Sequence, residues 1–172
     1  MKIAVLFAFG TEEIEGLTPV DVLRRAGVEC DLVSVGGINP VGSHGITVKA
    51  DKNIEQISLD SYDGVVIPGG MPGAVNISEC KRAVDGIKAL LEKGKLVSAI
   101  CASPAVVLAD NGLLSVDKAT CYPAKQFIDS LGDKYTAKDV EICNNVITAN
   151  GPKSAMEFSL AICSYLGVNP KF

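Results

Sequence analysis

Cys101 ends the apolar run LVSAI and opens the stretch ASPAVVLADNGLL, whose spacing predicts a helix with Pro104 near its start. A cysteine at a strand-to-helix turn is placed as a nucleophile: the small neighbours Ala99, Ala102 and Ser103 leave room for a tight backbone that stands the sulfur clear. N–H groups of the new helix face that sulfur, and their positive end favours thiolate over thiol. Pro104 costs nothing where a helix N–H has no partner. The competing interpretation is a buried, inert thiol, the usual fate of a free cysteine. Cys30, Cys80, Cys121, Cys143 and Cys163 have that look, from their places in or next to strand and helix patterns.

Thiolate chemistry usually recruits a base, most often histidine. The only histidine, His44, lies in a Gly-flanked loop and is expected to be exposed; whether it or Tyr122 enters the crevice is left open by the sequence. Carboxylates come from the first strand-to-helix connection, FAFGTEEIEGLTPVD. Thr11 reads as a helix N-cap with Glu12 and Glu13 in the favourable first turn, which accounts for both glutamates without function. Glu15 stands apart, because the ring of Pro19 would clash with its carbonyl and Gly16 loosens the same turn, so an interrupted helix is expected there. A carboxyl group buried beside a thiolate has its pKa raised and, while protonated, donates a hydrogen bond to sulfur. The alternative is an exposed helical glutamate. Glycines after the strand in VVIPGGMPGAVN let backbone approach a ligand, so the N–H groups of Gly70 and Ala102 are candidate oxyanion donors.

These positions require a scaffold that brings several strand ends together. Continuous apolar runs (KIAVLFAF, VECDLVSV, YDGVVIPGG and KLVSAIC) alternate with helical stretches, the signature of βα units around a parallel sheet buried on both faces. The expected class is α/β in three layers, with chemistry outside the carboxyl ends of the strands. Residues 36–60 read as a loop with short excursion strands. Asn144 and Asn145 read as a tight turn between two strands, and KSAMEFSLAICSYLG as a closing helix ended by Gly167.

With 172 residues and 48% hydrophobic composition, the chain can bury a substantial core, and one domain over residues 1–172 is expected. The net charge of −4 is dispersed, with no basic run and no aromatic-basic interleaving, which argues against nucleic acid or an anionic membrane as partner. The opening MKIAVLFAFGTEE is too brief for a spanning helix and lacks a small-residue cleavage site. No two of the six cysteines lie closer than 20 residues, which excludes CxxC motifs and paired zinc spacing and suits free thiols in the cytoplasm.

Taken together, TEEIE, PVDVLRRAG, the PGG turn at 68–70, the AICASP elbow and NGPKSAMEFSLAI resemble the ThiJ/PfpI superfamily, most closely its branch containing the parkinsonism-associated deglycase. The resemblance implies a flavodoxin-like α/β sandwich, usually a homodimer, with Cys101 as the elbow cysteine, Glu15 as its hydrogen-bonding glutamate, and Gly70 and Ala102 as backbone donors. It further implies a cofactor-free, metal-free enzyme of the glyoxalase III or deglycase type acting on small carbonyl compounds. The alternative is a non-catalytic oxidation sensor or chaperone working through Cys101. PfpI-type proteases carry histidine directly after the cysteine, where this chain has Ala102, so peptidase or amidase activity is not expected. The deglycase branch often places histidine before the proline of the segment reading CYPAKQF, where this chain has Tyr122, a poor base with an unperturbed pKa near ~10. Proton transfer then rests mainly on Glu15. A flavin-binding flavodoxin is disfavoured because the carboxylates of FGTEEIE repel phosphate, and a glutamine amidotransferase because no downstream His-x-Glu follows.

Overall fold

Every second residue of the first strand enters one of two cores. Ala4, Leu6 and Ala8 of β1 (Lys2–Ala8) pack on one face, and Ile3, Val5 and Phe7 on the other. This alternation is the two-residue period of a strand covered on both sides. The computed structural model describes all 172 residues. After β1 come α1 (Glu13–Arg25), β2 (Glu29–Val35), the two-residue β3 (Lys52–Asn53), β4 (Gly64–Ile67), α2 (Gly73–Glu79), α3 (Lys81–Glu92) and β5 (Leu96–Ile100). The chain continues through α4 (Lys125–Leu131), β6 (Val140–Cys143), β7 (Val146–Ala149) and α5 (Ala155–Tyr165).

The seven strands are ordered β3-β2-β1-β4-β5-β7-β6, and all neighbours are parallel except the hairpin β6–β7. Asn144 turns that hairpin at φ 54°, a conformation asparagine tolerates better than most residues. One face of the sheet carries α1 and α5, through Val20, Leu23, Phe158 and Ile162. The other carries α2, α3 and α4, through Ile77, Ile87, Leu90 and Leu131. The fold is therefore the expected flavodoxin-like three-layer α/β sandwich. Its strand order reverses between β1 and β4, and at such a switch point the carboxyl ends of the strands leave a crevice. No helix is long and apolar enough to cross a membrane.

Two local expectations are corrected. The helix around Glu15 is not interrupted: α1 runs unbroken from Glu13 to Arg25 with Pro19 inside it. Nor does Thr11 cap α1. Glu12 holds the N-cap position, and the buried Thr11 hydroxyl instead accepts the Ala8 N–H at 3.0 Å, folding the chain back on β1.

Candidate active site

Three connections leave the sheet side by side at the switch point: β1 to α1, β4 to α2, and β5 to the segment after Cys101. Glu15 comes from the first turns of α1 and is fully buried. Its burial depends on Gly16, where a Cβ would stand 2.7 Å from the Phe7 ring, so only a residue without a side chain lets α1 approach β1 this closely. Glu15 Oε2 accepts the Gly69 N–H at 2.8 Å. Oε1 meets no donor at good hydrogen-bonding geometry, while the Cys101 thiol interacts with the carboxyl as a weak donor.

Cys101 has φ 65°, the left-handed region that is costly for a residue with a Cβ. Bonds on both sides hold it there: its N–H donates to Ala149 O at 2.9 Å, and its carbonyl accepts the Tyr122 N–H at 2.8 Å. The result is the expected elbow, with Cys101 partly exposed. The Ser103 hydroxyl donates to Pro68 O at 2.6 Å and ties the β5 turn to the β4 turn. Between them lies Gly69. A Cβ on it would be 2.6 Å from Cys101 Cβ and 2.7 Å from Glu15 Oε2, so thiol and carboxyl crowd the same glycine.

Gly70, at φ 84°, turns the backbone so that its N–H and that of Ala102 both favour charge on the Cys101 sulfur; neither donates to a backbone oxygen. Burial nevertheless dominates. It pushes the Glu15 carboxyl up to about 7, against the Gly69 N–H and the Cys101 thiol, which favour its ionised form. Burial first, and the Glu15 carboxylate second, push the Cys101 thiol up to about 12. This reverses the acidified thiol expected from a helix start. The helix after Cys101 is only a six-residue π-type segment, Pro104–Ala109, whose widened turns leave carbonyls of Val106 and Val107 to the Asn111 amide. A single short turn has little dipole to offer. Between about pH 7 and about pH 12 the two groups thus hold a single negative charge, because ionising both would place two unscreened charges side by side.

His44 is drawn elsewhere. Its Nδ1 lies 3.1 Å from Glu13 Oε2 and 3.5 Å from Glu12 Oε2, and its backbone N–H donates to Glu13 Oε1 at 2.8 Å. The Glu13 hydrogen bond raises the pKa of this well-exposed ring. Ligand atoms of Glu12, Glu13 and His44 lie within 4.8 Å of one another, the one cluster able to hold a cation. Tyr122 sits next to the elbow through its backbone, its ring 44% exposed and packed over Gly151.

The sequence profile of the DJ-1/PfpI family matches residues 1–165. The chain belongs to the DJ-1/PfpI family. Among family relatives, "Protein DJ-1 homolog B" of Arabidopsis thaliana is 37% identical over 170 residues, covering 96% of this chain; the chain spans only 38% of that relative's length. The "Glutathione-independent glyoxalase DJR-1.2" of Caenorhabditis elegans is 35% identical over 157 residues, with 90% of this chain and 82% of the relative covered. The solved structure of oxidized Toxoplasma gondii DJ-1 superposes with a TM-score of 0.92 at 41% identity, covering 96% of this chain and 90% of the other. Within this DJ-1/PfpI site, Gly69 and Ser103 were not singled out from the sequence. The doubled glycine of PGG was the available signal for Gly69; Ser103 had entered only as a small neighbour.

Proposed function

We propose that this DJ-1/PfpI protein is a cysteine-dependent enzyme, needing no cofactor, that acts on small reactive aldehydes and dicarbonyls in stress protection, in the manner of a glyoxalase III or a deglycase. The observation that supports this best is the pairing of a strained, partly exposed Cys101 with a fully buried Glu15 carboxyl. The name of the Caenorhabditis relative supports the same substrate class. In this reading residues 1–172 act as one domain.

When the shared proton sits on Glu15, the sulfur carries the charge and adds to the aldehyde carbon of a 2-oxoaldehyde. The new alkoxide is held by the Gly70 and Ala102 N–H groups and takes its proton from Glu15, giving a hemithioacetal. Glu15, now ionised, takes the proton from that carbon to give an enediolate and returns it to the neighbouring carbon, while the hydroxyl proton on the first carbon passes to the oxygen on the second, leaving a hydroxyacyl thioester. Water cleaves the thioester to a hydroxy acid and restores the thiol. No electrons enter or leave. Tyr122, exposed beside the elbow, has an auxiliary place in orienting the substrate. D-lactate formation from methylglyoxal by metal-free protein is the test, and unchanged turnover in Cys101→Ser would end the proposal.

A second reading is favoured by the same two N–H groups, which have no backbone acceptor. They and a protonated Glu15 would bind the oxygens of a sulfinate, making Cys101 an oxidation sensor rather than a nucleophile, with chaperone or partner binding as its output. Mild peroxide followed by intact mass separates the readings: two added oxygens on Cys101 alone, together with negligible aldehyde turnover, favour the sensor.

We take the protein partner to be a second copy. Ile14 of α1 and Met156 and Leu160 of α5 expose apolar side chains on two helices that pack against each other, the kind of surface a second copy would cover. Sedimentation velocity should show a dimer that Leu160→Glu dissociates; a monomeric wild type refutes it. Six free thiols fit a reducing compartment, the cytoplasm.

A further inference from the structure

A cavity of about 460 Å³ opens beside the elbow, lined by Tyr122, Pro123, Asn150, Gly151, Pro152 and Lys153. It adjoins Cys101 through the backbone on both sides, since Tyr122 N–H binds the Cys101 carbonyl and Cys101 N–H binds Ala149, the residue before Asn150. A volume of this size suits a small metabolite.

The chemistry of its wall is lopsided. Pro123, Gly151 and Pro152 bring no polar side chain. The Asn150 amide is committed, its Nδ2 donating to Asp139 Oδ1 at 2.7 Å and its Oδ1 accepting the Ser154 hydroxyl at 2.7 Å. Asp139 is in turn engaged by Asn150 and does not line the cavity. That leaves the Tyr122 phenol and Lys153. Lys153 is exposed and has no carboxylate within ion-pair distance, whereas most basic side chains of this protein do. Arg82, Lys95 and Lys134 also lack a carboxylate partner but donate to backbone carbonyls, and Lys49, Lys118 and Lys171 are likewise unpaired; none of the six lines this cavity. The eleven-residue helix α5 begins at Ala155, two residues after Lys153. One free cation in a cavity that adjoins the Cys101 elbow through the backbone of Tyr122 and Ala149, with no counter-charge in its lining, is a receptor for an anion.

We infer that Lys153 is a specificity-determining residue, and that the substrates of the Cys101 site are small 2-oxoaldehydes carrying a carboxylate at the end remote from the aldehyde. The inference rests on the proposed aldehyde chemistry of Cys101. Lys153 forms no covalent bond in it: the ammonium donates to the carboxylate while the aldehyde carbon meets the sulfur, and the reaction proceeds as for a neutral substrate.

The experiment compares methylglyoxal with 4,5-dioxovalerate, its carboxylate-bearing counterpart, in wild type, Lys153→Met, Lys153→Arg and Lys118→Met. The last removes the same charge away from the cavity. Wild type should prefer 4,5-dioxovalerate, and Lys153→Met should lower its kcat/KM roughly tenfold, mostly through KM, about the worth of one charge-assisted hydrogen bond. Methylglyoxal turnover should stay within about twofold, since a remote charge adds little for a neutral substrate. Lys153→Arg should restore most of the loss, and Lys118→Met should change neither substrate. Equal effects of Lys153→Met on both substrates, or no preference in wild type, overturn the role of Lys153 while leaving the enzyme reading intact. Absence of turnover with either substrate overturns the enzyme reading, and this inference with it.

Discussion

Replacing Glu15 by glutamine should flatten the acid side of this protein's stability profile. The carboxyl has an ordinary value of 4.5 and is pushed up to about 7 in the fold by burial. Between those values the folded chain holds a proton that the unfolded chain has released. Stability therefore falls as pH rises through the window and levels off above about 7. At ~1.4 kcal/mol per pH unit, the span from 4.5 to about 7 corresponds to about 3 kcal/mol. The loss is the same whether the remaining charge then resides on carboxyl or sulfur, because the proton leaves the pair as a whole. Glutamine can still accept the Gly69 N–H, but its buried amide hydrogens find no acceptor, a penalty of roughly 1–3 kcal/mol at every pH. Wild type should then be the more stable protein near pH 5, with the advantage shrinking or reversing by pH 8. Urea unfolding of both proteins at intervals across this range gives the difference directly, and exposed groups such as His44 cancel in the comparison. A difference that stays constant from pH 5 to pH 8 would show that Glu15 titrates as an ordinary glutamate and that the shared-charge description is wrong.

Gly69→Ala should force Cys101 and Glu15 apart, because the added methyl falls inside the contact distance of both. A stability loss of ~1–3 kcal/mol is expected from overpacking, and displacement of the reacting groups should lower aldehyde turnover by about 100-fold; wild-type turnover would refute it. Ser103→Ala leaves the Pro68 carbonyl without its 2.6 Å partner and should cost ~1–3 kcal/mol, read as a lower urea midpoint at unchanged slope. In Glu15→Gln the Cys101 thiol loses the neighbouring charge that helps push it up to about 12, so the thiolate absorbance should appear at lower pH than the upper step of wild type. An unchanged midpoint would mean that the two side chains do not communicate.

Much of this arrangement could be read from residue order. Apolar runs of strand length between helical stretches fix a parallel sheet, and the small residues around Cys101 fit an elbow before any coordinates are seen. Glu15 is set apart in the sequence by an interrupted helix that the fold does not contain: α1 is unbroken, and the carboxyl is buried because Gly16 lets the helix approach Phe7, a contact between separate elements of the chain. Thiol acidity was misjudged for a related reason. The elbow suggests a helix N-terminus, but the following turns are wide and short, and the desolvation that outweighs them depends on three connections closing over the sulfur. Lys153 lies inside NGPKSAMEFSLAI, but nothing in that stretch marks it out, and only the fold places the residues before α5 next to the elbow after β5.

The site has two kinds of boundary with different evolutionary freedom. At Gly69 and Gly70 the chain is pressed against neighbouring loops, so that Glu12 N–H meets Gly69 O at 3.1 Å and a methyl on Gly70 would lie 2.3 Å from Glu12 N. No side-chain choice elsewhere can relieve an overlap between main chains. Residues 150–153, by contrast, border open space. A library saturating both regions should return almost nothing but glycine at the first and a broad spectrum at Lys153, so that descendants of this chain can change what they accept without disturbing how they react with it.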